Sequence, residues 1–209
     1  MAAQHRLLAC KGCGSVVVEA AFALAGIPLD VEEVDYSAAS PTRARLLEAN
    51  PLGQVPVVLL PDGSVMTESL AIVHYVNDLE PSLDVIPPPG DATRKAFLRW
   101  SVFLVAALYP TWTYGDEPAK WVKEDAAAKQ LRESTDEHRK AMWKLVEAEA
   151  KAPWFLGERM SAIDLYLAAM TRWRPGILWF AKNAPKLTAI SKRAGELPAV
   201  APIIARNFG

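Results

Sequence analysis

The only two thiols of the 209-residue chain fall within Cys10-Lys11-Gly12-Cys13-Gly14-Ser15, between a short apolar run and a stretch that reads as a buried helix. A free thiol ionises near pH 8.5, so sulfur chemistry at neutral pH requires stabilisation of the thiolate. A strand-to-helix junction is suited to this. Unused N–H groups and the macrodipole at a helix start favour an anion, a thiol or hydroxyl adds a donor, and Gly12 and Gly14 let the main chain come close. This loop supplies each of those features.

Two further segments have the makings of a ligand clamp. In Gln54-Val55-Pro56 the imide bond is of the one type for which the cis isomer costs only about 0.5–1 kcal/mol. A cis bond there would leave the N–H and C=O of Val55 facing solvent, where an extended ligand can pair as an added strand. An ordinary trans proline at a strand edge is the alternative. Beyond the turn Pro61-Asp62-Gly63-Ser64, Thr67 opens the pattern Leu70, Ile72, Val73, Tyr75, Val76 of a buried helix. With Thr67 as N-cap, Glu68 and Ser69 lie in the first turn. The Ser69 hydroxyl and N–H then suit a ligand carboxylate, and Glu68 suits an ammonium. Simple capping is the competing reading. Taken jointly, the two segments favour a small extended peptide with a charged end.

Gln54-Val55-Pro56 together with Glu68-Ser69 resembles the glutathione-binding signature of the cytosolic glutathione transferases, and the likeness extends over nearly the whole chain. It implies that Val55 pairs with the cysteinyl part of glutathione beside Pro56. It also implies that Glu68 and Ser69 hold the γ-glutamyl end, with Gln54 assisting. Counted back from Gly26, Ser15 falls where the beta class carries a serine after its catalytic cysteine, while that cysteine's own position is Gly14. Gly12 stands where the serine-type classes keep their activating hydroxyl, and the familiar catalytic tyrosine has no counterpart. Cys13 is thus the first candidate catalytic residue and Ser15 the second, with the class nearest to beta or zeta type. The implied activity is conjugation of the glutathione thiolate to a small apolar electrophile, as in detoxification, by a homodimer. A glutathione-dependent thiol-disulfide oxidoreductase using Cys13, or a non-catalytic glutathione-binding module, are the alternatives.

The spacing Cys10-x-x-Cys13 also fits a redox pair, although a buried structural Cys10 is the favoured reading. Two cysteines and three dispersed histidines do not make a metal site. His74 reads as a packing residue and His138 as a surface one. The acceptor pocket is expected between the Cys13 loop and the first helix of the second half. There Tyr109 and Trp112, three residues apart and separated by Pro110, can share a face; filling of the helical core is the other possibility.

These residues need a scaffold, and the periodicities supply one. His5 to Ala9 reads as a strand, Gly14 to Ala25 as a helix ended by Gly26, and Leu29 to Asp35 as a strand. Pro41 to Ala49 reads as a helix, Val57 to Leu60 and Ser64 to Met66 as a hairpin, and Thr67 to Leu79 as a helix. That order is thioredoxin-like. Helical patterns follow over Asp91 to Tyr109, Lys123 to Lys151, Ser161 to Trp173, Pro185 to Glu196 and Ala199 to Asn207. The expected fold is therefore an α/β thioredoxin-like N-terminal domain (1–80), a proline-rich linker (81–91) and an all-α bundle (92–209). All seven tryptophans lie between Trp100 and Trp179, consistent with that division. Ser161-Ala162-Ile163-Asp164 forms a capping box, with Met160 and Leu165 as its hydrophobic staple. With Phe155-Leu156-Gly157 before it, the box resembles the one in glutathione transferase C-terminal domains.

A hydrophobic content of 51% suffices for a core, and a net charge of −1 with interspersed signs offers no footprint for nucleic acid. No apolar run approaches a membrane span and no export signal is evident, so the expected location is cytoplasmic.

Overall fold

The computed structural model describes residues 4–209. Strand His5–Ala9 (β1) alternates its side chains. Leu7 enters the main core with Val17 and Phe22, whereas Leu8 joins a small cluster with Val34, Leu46 and Val57 on the opposite face. Helix Ser15–Ala25 (α1) ends at Gly26, whose left-handed φ of 66° turns the chain toward strand Leu29–Glu33 (β2). Helix Pro41–Ala49 (α2), strands Val57–Leu59 (β3) and Val65–Met66 (β4), and helix Ser69–Leu79 (α3) complete the unit. The sheet order is β2-β1-β3-β4; β1 and β2 are parallel, and the other pairs are antiparallel, with Leu7 opposite Val58. This is the expected thioredoxin-like arrangement.

The proline-rich stretch that follows is packed against both halves. Asn77 Oδ1 accepts from the N–H groups of Val85 and Ile86, and the Val85 carbonyl accepts from Ala162 N–H. Val85 and Ile86 belong to a core continuous from α1 and α3 into the helices beyond.

Those helices are Arg94–Val102 (α4), Pro110–Gly115 (α5), Asp125–Glu149 (α6), Ala162–Met170 (α7), Ile177–Asn183 (α8), Pro185–Gly195 (α9) and Ala201–Phe208 (α10). The single helix expected over Asp91 to Tyr109 is broken. Residues Phe103–Leu108 wind as a π-helix in which Tyr109 N–H reaches the Leu104 carbonyl at 2.9 Å. Pro110 has no N–H to continue the ladder, and α5 starts there with a new phase. Helix α8 escaped the sequence pattern because Gly176 and Pro185 bracket only two turns.

The capping box is formed. Ser161 N–H donates to Asp164 Oδ2 at 2.7 Å, and Asp164 Oδ1 accepts from Phe155 N–H at 2.8 Å. Burial pushes the Asp164 carboxyl up to about 6, against the pull of those N–H donors. Among the described residues no helix is long and apolar enough to cross a membrane.

Candidate functional site

The loop Cys10 to Gly14 is pinned from both sides. Gly12, at φ 71°, donates its N–H to Asn207 Oδ1 at 3.0 Å, and its carbonyl accepts from Trp173 Nε1 at 2.6 Å. Both partners come from the helical half. Ser15 is fully buried; its hydroxyl donates to the Cys10 carbonyl at 3.1 Å and accepts from Cys10 N–H at 3.2 Å. Ser15 thus holds the loop closed and is not on the wall of the main cavity. Below it, Glu19 is buried against Arg206, an ion pair that ties α1 to α10. Desolvation nonetheless raises the Glu19 carboxyl.

A cavity of about 420 Å³ opens above the loop. Its floor is Cys13 and Gly14, and among the described residues no main-chain carbonyl takes up the N–H groups of Gly14 and Ser15. Gln54, Val55 and Pro56 form one wall. The Val55-Pro56 bond is cis, as the sequence predicts, and among the described residues no hydrogen bond engages the Val55 N–H or C=O. Asn50 shapes this segment through Nδ2 donation to the Gln54 carbonyl at 2.8 Å.

Thr67, Glu68 and Ser69 face the same cavity. Thr67 is not the N-cap predicted from sequence. Helix α3 begins at Ser69, and Glu68 occupies the cap position at φ 65° and ψ 101° with no capping hydrogen bond from its side chain. A non-glycine residue at positive φ is strained by roughly 1–3 kcal/mol. The conformation leaves the Glu68 carboxylate exposed at the cavity. Ser69 Oγ shares a 2.7 Å hydrogen bond with the hydroxyl of Tyr166, a buried residue of α7 whose phenol is raised by desolvation.

The far wall comes from the π-helix and α5: Val105, Tyr109, Pro110, Thr113 and Tyr114. Tyr109 stands where the sequence places it, and its hydroxyl lies over Gly14, 3.0 Å from the point a β-carbon there would occupy. Burial holds its phenol up at about 12, so it remains a donor at neutral pH. Trp112 is a correction. It is 6% exposed, absent from the cavity wall, and donates Nε1 to the Arg174 carbonyl at 3.0 Å. Arg139 lies over its ring at 4.5 Å and Trp143 and Trp173 meet it edge-on. The rephased α5 sends Trp112 into the bundle and turns Thr113 and Tyr114 toward the cavity instead.

Sequence reasoning also missed Tyr36, which lines the cavity just beyond the end of β2 and whose phenol burial raises to about 12. The one available signal was its place at the carboxyl end of a parallel strand, where open α/β sheets gather ligands. The lining thus carries hydroxyls, the Cys13 thiol, the side-chain amides of Asn50 and Gln54, open main-chain groups and one carboxylate, and among the described residues no lysine or arginine.

The two thiols interact. Cys10 is half-buried, not the fully buried structural cysteine favoured from sequence, because β1 ends at Ala9 and the chain turns outward. Cys13 N–H donates to the Cys10 carbonyl at 3.1 Å, closing a turn across the pair, and the Cys10 thiol donates to the Lys11 carbonyl at 3.7 Å. The Cys13 thiol hydrogen bond brings Cys10 down to about 7, against burial and the charge of Glu33. Donating that bond, together with burial, raises Cys13. The two thiols titrate as a pair, with ionisation favoured at Cys10 over Cys13.

A model of the glutathione S-transferase N-terminal domain matches residues 15–79. The GST-like protein YncG of Escherichia coli K12 is 38% identical over 200 residues, covering 94% of this chain and 95% of that protein. Among solved structures, a sphingomonad glutathione S-transferase complexed with glutathione superposes with a TM-score of 0.75 at 25% identity, covering 96% of this chain and 97% of its own. A glutathione transferase homologue from Sulfitobacter, solved with bound glutathione, gives 0.84 at 23% identity over 99% of this chain and 100% of its own, a likeness of fold. Identity at this level across nearly the full length, on the same two-part scaffold, places the chain in the cytosolic glutathione transferase superfamily.

Proposed function

We propose that the chain is a glutathione-dependent transferase that conjugates the tripeptide's sulfur to a small apolar electrophile. In this reading residues 1–80 hold glutathione and residues 92–209 supply the acceptor wall. The cysteinyl main chain pairs with the open N–H and C=O of Val55. The γ-glutamyl ammonium meets Glu68, its carboxylate meets the Ser69 hydroxyl and the start of α3, and Gln54 adds a polar contact.

The observation that carries the reading is the approach of Tyr109 Oη to Gly14, 3.0 Å from where a β-carbon would stand, beside a Gly14 N–H that meets no main-chain acceptor among the described residues. A sulfur placed there receives a neutral hydroxyl donor and the positive end of α1, so its thiolate is favoured over its thiol. Cys13 lines the floor beside that point, its thiol raised by the bond to Cys10 and by burial. The nucleophile is then the ligand's sulfur, activated by Tyr109 and the helix start, with Cys13 as neighbour and Ser15 as a loop-holding residue. The electrophile enters over Val105, Thr113 and Tyr114.

The test is turnover of an activated aromatic halide after retention on immobilised glutathione. Retention with halide turnover supports the transferase, retention without any turnover supports a binding module, and failure to be retained removes the reading.

A further inference from the structure

We propose that Cys10 and Cys13 form a dithiol-disulfide couple oxidised by a disulfide of the glutathione tripeptide, with Cys13 as the thiol reached from the main cavity and Cys10 as the thiol that resolves it. The proposal rests on glutathione occupying that cavity, and adds a second activity to the same loop.

Three features carry it. The two cysteines bracket a turn closed by Cys13 N–H on the Cys10 carbonyl at 3.1 Å, and a turn of this kind brings its first and fourth residues to the spacing a disulfide spans. Their faces are divided: Cys13 lines the cavity that holds the tripeptide, whereas Cys10 lines a separate cleft of about 150 Å³ with Lys11, Glu19, Glu33 and Arg206. The loop that carries them is fastened at Gly12 by Asn207 and Trp173 and at Cys10 by Ser15, which keeps the pair together through a change of partner. A proton shared between two such thiols moves from Cys13 to Cys10 without leaving the site, so either sulfur can become the nucleophile.

The exchange proceeds in two steps. Cys13, having passed its proton to Cys10, attacks one sulfur of the tripeptide disulfide. The S–S bond breaks, a Cys13-glutathione mixed disulfide forms, and one glutathione leaves as thiolate and takes a proton from water. Cys10 then loses its proton and attacks Cys13 Sγ. The Cys10-Cys13 disulfide forms, and the second glutathione leaves as a thiolate at the point where Tyr109 and Gly14 N–H donate. The protein dithiol is oxidised by two electrons, and one disulfide is reduced to two thiols.

Wild type, C10S and C13S should each be exposed to glutathione disulfide and, separately, to hydroxyethyl disulfide, then analysed by intact mass and thiol count. Wild type is expected to lose both thiols and carry no adduct, and C10S to stop with one mixed disulfide on Cys13. C13S should form no internal bond. Wild type that retains both thiols under both oxidants, or accumulates a stable adduct as C10S does, overturns the proposal. Internal oxidation by hydroxyethyl disulfide with no response to glutathione disulfide upholds the couple and removes glutathione from the cavity, so the two readings fail separately.

Discussion

The hydroxyl of Tyr109 hangs over the Cα of Gly14 so closely that a β-carbon on Gly14 would meet it at 3.0 Å. Tyr109 joins the π-helix to α5 in the helical half and Gly14 leads into α1 in the sheet half, and their approach marks the point proposed for activation of a ligand sulfur. Y109F removes the donor and keeps the ring. A hydrogen bond to a charged group is worth about 1.5–3 kcal/mol, so kcat/KM for conjugation should fall about 10- to 100-fold, with retention on glutathione unchanged. The ionisation of bound glutathione, followed by thiolate absorbance, should move up by about 1–2 pH units.

G14A tests the same contact from the other side. Gly14 has φ −65°, open to alanine, so the substitution acts only through the Tyr109 ring. It should depress turnover in the direction of Y109F, and the G14A/Y109F double variant should show less than the sum of the two losses.

At the other end of the ligand, S69A should weaken glutathione binding about 10- to 100-fold, because it removes a charge-assisted bond. It should also lower stability by about 1–3 kcal/mol, because the buried Tyr166 hydroxyl loses its partner. E68G is expected to separate function from stability. Relief of the strained φ offsets the flexibility gained by the unfolded chain, so thermal unfolding should match or exceed wild type while calorimetric affinity for glutathione is lost.

Much of the scaffold was legible because its signals are local. Gly26 after an apolar run ends α1, Pro41 opens α2, and Ser161 with Asp164 caps α7 as the spacing requires. That Val55, Glu68 and Ser69 meet at one cavity was legible for the same reason. What escaped depends on geometry that no short window encodes. The π-helix before Pro110 turned Trp112 inward and brought Thr113 and Tyr114 to the cavity. Thr67 looked like an N-cap, yet the bend at Glu68 moves the cap and the helix start on by one residue. Tyr36 reaches the cavity only because β2 lies beside β1.

Asp164 illustrates a residue whose importance is confined to the fold. D164A deprives the N–H groups of Phe155 and Ser161 of their acceptor in a dry interior. A loss of about 2–4 kcal/mol is expected from the cap and the orphaned donors, read as a lower unfolding midpoint, with glutathione affinity intact in the folded fraction. W112F should behave likewise, costing about 1–3 kcal/mol with no change in KM for the electrophile.

The thiols give a pH prediction. Because the Cys13 bond lowers Cys10 to about 7, alkylation of Cys10 should rise as pH passes through that value. In C13A the donor is gone while burial and Glu33 still oppose ionisation, so the rise should shift to higher pH. Charged groups facing Cys10 from the cleft, Lys11, Glu19, Glu33 and Arg206, are the same in both proteins. An unshifted profile in C13A would show that the two sulfurs do not interact.

The most direct measurement is a crystal structure of the chain soaked with glutathione. The expected result is a tripeptide lying along Val55, its amino-acid end on Glu68 and Ser69, and its sulfur within hydrogen-bond distance of both Tyr109 Oη and Gly14 N–H. A sulfur directed away from that pair, or a tripeptide bound elsewhere, would contradict the assignment.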